Sequence, residues 1–293
     1  MPVTRPADGL KRHVRPAAPS AATPICEESI VQSAHTRAAR PPRCQHQDAL
    51  PNVKSEKLAV SIAAPKHDQP PAIRLLTWRH EAARRLVTLW PLKALGTTAF
   101  MALFFWGYFS VLRYPIGTPF VMPEIALDRW IPFTAASYPV YISLWVYVSL
   151  PPALLSNLRA LLHCGLWIAV MCSSSLLFFW LVPTQTPEFD IDWSLYPSMS
   201  TIKSMDAAGN AFPSLHVASA VFAALWLDRL FVHIKSPQAL RWINLLLCVA
   251  IAWSTVASRQ HVTLDVLAGA AVGLVFALGS LRATRSRSSP IHL

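Results

Sequence analysis

Six apolar segments after residue 93 constrain the fold of this chain more than any other feature. Their lengths of about 17–21 residues suit a hydrocarbon core about 30 Å thick, and the fifth is short. The sequence therefore predicts an all-α polytopic membrane protein with six transmembrane helices in a bundle. The segments are approximately Ala94–Leu112, Tyr138–Leu155, Leu162–Val182, Ser214–Val232, Trp242–Ala257 and Thr263–Leu281.

Composition supports the same class. Hydrophobic residues make up 53% of the 293 residues and charged residues 14%, which is too apolar for an ordinary soluble domain. The net charge of +11 is compatible with nucleic acid, but the basic residues lie beside apolar segments, where positive charge orients membrane proteins. We therefore expect membrane lipids as partners and no nucleic acid. The five cysteines show neither metal-ligand spacing nor a disulfide framework, so no metal or cofactor is predicted.

Charge in the connections predicts the orientation. With a cytoplasmic amino terminus, the inner connections carry ten Lys and Arg residues and the outer connections carry four. This bias places both termini in the cytoplasm, and His216 and His261 on the same outer side. That side is the periplasm if the membrane is a bacterial inner membrane, which compactness favours, and the lumen if it is eukaryotic.

The regions outside the bundle are predicted as follows. Residues 1–72 are rich in Pro, Ala, Arg and Ser and are expected to be a disordered arm, either a tail or a targeting segment. Residues 73–91 are expected to form a basic amphipathic interfacial helix, or else to extend the first span. The membrane domain covers 92–282, and 283–293 form a basic cytoplasmic tail. The long outer loop 183–212 is expected to cover the outer mouth of the bundle, and Gly269 and Gly273 to allow close helix packing.

The first stretch with chemical potential is Asn210–His216. Pro213 and Ser214 are expected to open a helix, with His216 in its first turn. Free N–H groups at a helix start bind anions, and a histidine there can transfer protons to and from a bound phosphate. A structural or interfacial histidine is the alternative.

The second stretch is Ser254–Gly269. His261 and Asp265 are four residues apart, so on a helix they share a face. A carboxylate beside an imidazole fixes its tautomer and stabilises its cation. The alternative is a His–Asp pair that only pins two helices together.

Together, the two stretches resemble the type 2 phosphatidic acid phosphatase superfamily. The resemblance rests on Pro213-Ser-Leu-His216, on Ser254-Thr255, and on His261 followed by Asp265 and Gly269. It implies a metal-independent, two-step phosphoryl transfer in a six-helix bundle. By this resemblance His261 is the nucleophile, Asp265 orients it, and His216 is the general acid and base. The stretch Leu127–Phe133 and the tyrosines after it look similar to the inositol phosphotransferase and sphingomyelin synthase-like branch.

The sequence departs from the family pattern at the cations. The first signature, a Lys followed at a distance by Arg-Pro, is absent, and Thr255 stands where the family has Arg. Arg259 and Lys203 are the predicted substitutes, although either could be an interfacial anchor. With Ser214 and Asn210 they make up the predicted substrate-binding residues.

The predicted function is therefore a lipid phosphatase or phosphotransferase acting through a phosphohistidine on a lipid phosphate or phosphodiester. The alternative is a non-catalytic transporter or scaffold with a degenerate site. A serine protease would want a Gly-x-Ser nucleophile, which Ser214 does not match. A metal-dependent alcohol phosphotransferase would need a run of spaced aspartates on one helix, and the sequence has none.

Overall fold

The computed structural model describes residues 71–206 and 209–285, without the side chains of 71–76, 202–206 and 285. Helix makes up 76% and strand 2% of the described residues, which confirms a mostly helical protein. The predicted arm up to residue 70 and the predicted tail beyond residue 285 lie outside the described residues.

The described part of the chain contains ten α-helices and one pair of two-residue strands. The helices are α1 (Pro71–Val87), α2 (Trp90–Arg113), α3 (Ala126–Trp130), α4 (Tyr138–Ile142), α5 (Leu144–Leu154), α6 (Leu158–Leu181), α7 (Pro197–Asp206), α8 (Leu215–His233), α9 (Gln238–Ala257) and α10 (Thr263–Arg285). The strands are β1 (Phe120–Val121) and β2 (Thr184–Gln185), which pair in parallel. Short 3₁₀ turns occupy Ala135–Ser137 and Trp193–Leu195.

Five of the described helices are long and apolar enough to cross a membrane, namely α2, α6, α8, α9 and α10. The protein is therefore an integral membrane protein. Helix α8 is at its centre, because 67% of its apolar window is buried within the protein, against none for α2. The fully buried Trp226 and Phe222 of α8 are among the largest core side chains.

The second predicted span differs from the prediction, because Tyr138–Leu155 does not form one long helix. It is divided at Ser143 into α4 and α5, each too short to cross a membrane alone. Helical hydrogen bonding continues across the junction, since Ser143 N donates to Pro139 O and Tyr147 N donates to Ser143 O. Pro151 and Pro152 lie in the last turn of α5, which ends at Leu154.

Helix α1 is separate from the first span. Leu89 lies between α1 and α2 with φ of 59°, a left-handed conformation that interrupts the helix. The α1–α2 junction is fastened to the end of α5, where Lys93 Nζ donates to Ala153 O at 2.7 Å and Arg85 Nη1 to Leu154 O at 3.5 Å. The last carbonyls of a helix lack intrahelical donors, so two buried cations suit this position.

The long loop between α6 and α8 is tied to its neighbours. Thr184 Oγ1 accepts from Phe212 N at 2.9 Å and so joins the two ends of the loop. Farther along, Trp193 and Tyr196 pack edge-on against Phe133, with ring centroids 5.8 and 5.3 Å away. The loop therefore lies over the segment that leads into α4, at the end of the bundle where α8 begins.

Candidate active site

The start of α8 positions the first histidine. The helix begins at Leu215, and the side chain of Ser214 caps it by accepting from Val217 N at 3.3 Å. The prediction that serine opens this helix is confirmed. Pro213, by contrast, precedes the cap instead of occupying the first turn. His216 is the second residue of the helix.

The corner between α9 and α10, residues 258–262, holds the second histidine. His261 precedes α10, so it does not share a helical face with Asp265 as predicted. The two still meet, because His261 N donates to Thr255 O and the corner turns the ring towards the first turn of α10. The distance from His261 Nδ1 to Asp265 Oδ2 is 3.4 Å, slightly longer than a hydrogen bond.

Asp265 joins the two clusters. Its Oδ2 accepts from Val262 N at 3.0 Å, which caps α10, and its backbone carbonyl accepts from Ser214 N at 3.0 Å. Nearby, α8 and α10 make a very close approach, since a Cβ added at Gly269 would collide with the carbonyl oxygen of Ser214. Gly273 has the same relation to Ala218, so the predicted close packing at these glycines is confirmed.

A cavity of about 290 Å³ brings together two of the three predicted catalytic residues, His216 and His261. His216, His261 and Asn210 all line it. The remaining lining is mainly apolar and aromatic. It comes chiefly from α2, α5 and α6 and includes Phe100, Phe104, Phe105, Tyr108, Trp145 and Ile168. The arrangement offers polar groups for a phosphate beside an apolar space for a chain.

The ring of His216 is held by Tyr141. The two rings stack with centroids 4.1 Å apart and planes 10° apart, and His216 Nε2 lies 3.1 Å from Tyr141 O. A carbonyl oxygen only accepts hydrogen bonds, so Nε2 bears the hydrogen and Nδ1 is the basic nitrogen of the neutral ring. His216 can therefore gain and lose a proton at Nδ1 while its ring stays fixed.

Three buried polar atoms at the site lack a hydrogen-bond partner among the described residues: Asn210 Nδ2, His261 Nδ1 and Asp265 Oδ1. Most buried polar groups in proteins are bonded, so such exceptions call for an explanation. Asn210 also has a left-handed φ of 53°. Its amide donor on the cavity wall is suited to an anionic oxygen.

The other predicted substrate-binding residues have different surroundings. Ser214 is fully buried and is used as a helix cap. Arg259 donates from Nη1 to Asp128 O and from Nη2 to Ile131 O, both at 3.1 Å, and its guanidinium lies 4.9 Å from the Phe189 ring centroid. Lys203 lies in α7, and its side chain is outside the described part of the chain.

Sequence reasoning missed two residues that support the site. Tyr141 entered only as one of several tyrosines, and Asp128 only as part of the Leu127–Phe133 stretch. Asp128 is completely buried and binds the first residue of α10. A buried aspartate more than 130 residues away in sequence gives no local signal of such a contact. Within the described ranges, no group of three or more His, Cys, Asp and Glu side chains is arranged to hold a metal ion.

Comparison with protein families gives one match. The family model described as PAP2 superfamily matches residues 158–289, which include α6, α8, α9 and α10 and both histidines. Comparisons with curated proteins and with solved structures find no match. The match is independent of the cavity geometry and covers the same two clusters.

Proposed function

Because this chain belongs to the PAP2 superfamily through residues 158–289, we propose that it is a lipid phosphatase or head-group phosphotransferase acting through a phosphohistidine. The family supports a phosphoric ester hydrolase activity on lipids. The finer assignment to His261, His216 and Asp265 rests on the site.

One observation supports this function above the others: His216, His261 and Asn210 line a single cavity whose remaining wall is mainly apolar. A lipid phosphate has the same two parts, an anionic head and a hydrocarbon chain. A non-catalytic transporter or scaffold with a degenerate site gives no reason for two histidines to line one cavity, with a buried carboxylate beside one of them. We therefore place the phosphate beside the histidines and the chain along α2 and α5.

In the first half-reaction His261 attacks phosphorus. Nδ1 is the nitrogen nearest Asp265, so Nε2 on the opposite side of the ring is the nucleophile. A new N–P bond forms as the bond from phosphorus to the leaving oxygen breaks. His216, protonated at Nδ1, gives its proton to that oxygen and leaves a neutral alcohol. The Asp265 carboxylate stabilises the positive charge that develops on His261.

The second half-reaction reverses the proton transfer. His216 Nδ1 takes a proton from water or from an acceptor hydroxyl, whose oxygen attacks phosphorus as the N–P bond breaks. His261 is thereby regenerated, and His216 ends protonated for the next cycle. Water as the acceptor makes the protein a phosphatase, and a lipid or polyol hydroxyl makes it a phosphotransferase. The Asn210 amide and the first N–H groups of α8 are suited to the phosphate oxygens, and Lys203 stays a predicted phosphate ligand.

We further propose that α4 and α5 together form a sixth membrane crossing. The helical hydrogen bonds on both sides of Ser143 support it, and it gives an even number of crossings with both termini in the cytoplasm. The site then faces the periplasm of a bacterium, or the lumen in a eukaryotic membrane. Helix α1, with exposed Arg79 and Arg84, is proposed to lie along the cytoplasmic surface.

The deciding experiment supplies purified protein in lipid with phosphatidic acid, an isoprenoid diphosphate and phosphatidylinositol in turn. We expect turnover of at least one donor and acid-labile phosphate bound to the protein. Release of inorganic phosphate without a new phosphodiester would exclude the transferase version.

The His261→Ala variant tests the covalent step. It should lose the bound phosphate and at least about 10³-fold in kcat, the loss typical of a removed nucleophile. Full transport or binding function in a His216→Ala/His261→Ala double variant would favour the non-catalytic alternative.

A further inference from the structure

The corner that holds His261 is attached to α9, the helix that precedes it. Arg259 has a left-handed φ of 58°, which turns the chain sharply after α9. Gln260 N and His261 N then both donate to the carbonyl of Thr255, at 3.0 and 3.1 Å. This attachment fixes the backbone of His261 relative to α9. The side of the corner that faces away from α9 is held by other contacts.

The segment Ile125–Thr134 supplies those contacts. Asp128 Oδ1 accepts from both the backbone N and the Oγ1 of Thr263, each at 2.6 Å. Its second oxygen accepts from Ile125 N at 2.8 Å, which fixes the carboxylate within its own short helix. At the far end of the segment, Thr134 N donates to Ala257 O at 2.9 Å.

Arg259, which precedes His261 in the corner, also binds this segment. Its two terminal nitrogens donate to the carbonyls of Asp128 and Ile131, so the planar fork of one guanidinium spans a short stretch of this segment. Thr263 lies two residues after His261 and Arg259 two residues before it. The nucleophile is therefore held on both sides by contacts to the same segment.

We propose that Asp128 and Arg259 are positioning residues, which set the place of the His261 ring without touching the substrate. The proposal rests on the function proposed above. It assigns a role to the Asp128-containing segment and gives Arg259 a different role from the phosphate ligand predicted by the sequence. A misplacement of about 1 Å at a reacting group costs about 10²-fold in rate, so loosening this corner should be costly.

The test compares Asp128→Ala, Arg259→Gln and Arg259→Lys, with Arg241→Gln as a matched control. Arg241 also forms a two-pronged contact, with Asp228 at the opposite end of α8. In the Asp128 and Arg259 variants we expect phosphoenzyme formation at saturating donor to slow by about 10- to 100-fold while KM changes little. Lys should be no better than Gln at position 259, because its single nitrogen cannot span two carbonyls. Arg241→Gln should leave the rate unchanged.

A milder pair of variants keeps the test informative if Asp128→Ala fails to fold. Thr263→Val removes one of the two hydrogen bonds to Asp128 Oδ1, and Thr263→Ser keeps both. We expect a slower phosphorylation step in Thr263→Val and full recovery in Thr263→Ser. If the contact between Asp128 and Thr263 were purely structural, Thr263→Val would lower the unfolding temperature. The phosphorylation rate per folded molecule would then stay unchanged, which would overturn the positioning role.

A second readout does not depend on the proposed activity. Carbethoxylation of His261 by diethyl pyrocarbonate, followed by mass spectrometry, should be faster in Asp128→Ala, Thr263→Val and Arg259→Gln, because a loosened corner exposes the ring. Faster carbethoxylation in a protein that turns over no donor would support the positioning role and refute the proposed function. Unchanged carbethoxylation and phosphorylation in these variants would overturn the positioning role. A raised KM with nearly full activity in Arg259→Lys would also overturn it, in favour of a phosphate ligand.

Discussion

The buried ionisable side chains at the two ends of the bundle differ in their hydrogen bonding. At the end of α5, the buried Arg85 and Lys93 bind helix carbonyls, and Glu81 accepts from Arg85 at 2.7 Å. At the start of α8, His261 Nδ1 and Asp265 Oδ1 are buried without hydrogen-bond partners among the described residues. Away from the site, the unpartnered buried side-chain atoms of the described ranges are the neutral Trp78 Nε1 and Ser236 Oγ.

This contrast separates the ionisable groups that hold helices together from those that can take part in a reaction. Ionisable groups that bind one another or a helix carbonyl have already used their hydrogen-bonding capacity and serve to hold helices together. A histidine that lines a cavity, beside a buried carboxylate with hydrogen-bonding capacity unused, can still take part in a reaction, at some cost in stability. Substitutions at the two ends should therefore separate activity from stability.

Among the substitutions that compare the two ends, the largest effect is expected for His216→Ala. Without the proton donor and acceptor at Nδ1, kcat should fall by about 10²- to 10⁴-fold, the usual contribution of general acid–base catalysis. Stability should change little, because the ring makes only one hydrogen bond and one stacking contact to Tyr141 and one edge-on contact to Trp145 among the described residues. Steady-state kinetics with the best donor, together with thermal unfolding, measures both. Activity within tenfold of the wild type would show that His216 is structural.

Gly269→Ala should affect both activity and stability. The added methyl collides with the Ser214 carbonyl and forces apart the two helices that carry the histidine clusters. Overpacking of this kind costs about 1–3 kcal/mol, and the displaced clusters should lose activity as well. Gly165→Ala is the matched control, because nothing lies within 4 Å of its added Cβ. It should stabilise α6 by about 0.5–1 kcal/mol and leave activity unchanged.

Asp228→Asn should have a smaller effect, confined to stability. It breaks the paired contact with Arg241 at 2.6 and 3.1 Å, but both side chains are about one third exposed. Such solvent-screened pairs contribute little to stability. Chemical unfolding in detergent measures the change, and donor turnover should stay at the wild-type rate. A large loss of activity would mean that the two ends are coupled.

The smallest effect is expected at Glu81 and depends on pH. Hydrogen bonds from Arg84 and then Arg85 lower the pKa of Glu81 from 4.5 to about 2. A carboxylate with a lowered pKa stabilises the folded state fully above pH 4.5 and loses that contribution as the pH falls towards 2. Glu81→Gln should remove this part of the pH dependence, by less than about 1 kcal/mol because the pair is partly exposed. Unfolding free energies at pH 6 and pH 3 provide the comparison.

The sequence predicted best those helices that have a strong local pattern of apolar residues. The five long apolar helices were all predicted, because length and hydropathy suffice to define a membrane helix. The bounds of α8 were predicted to within one residue, whereas α2, α6 and α9 begin four residues before their predicted starts. The segment from Tyr138 was predicted as one helix and is divided at Ser143. Apolar composition alone does not reveal such a junction, since the residues on both sides remain equally apolar.

The sequence by itself determined the helical membrane class, the cap at Ser214, and the two stretches that bear His216, His261 and Asp265. These depend on local composition and short spacings. Only the tertiary structure decided that both histidines line one cavity, that Tyr141 fixes the ring of His216, and that Arg259 binds the segment of Asp128. The physical reason is the same in each case, because these contacts join residues 45 to 131 positions apart, and their formation depends on how the helices pack.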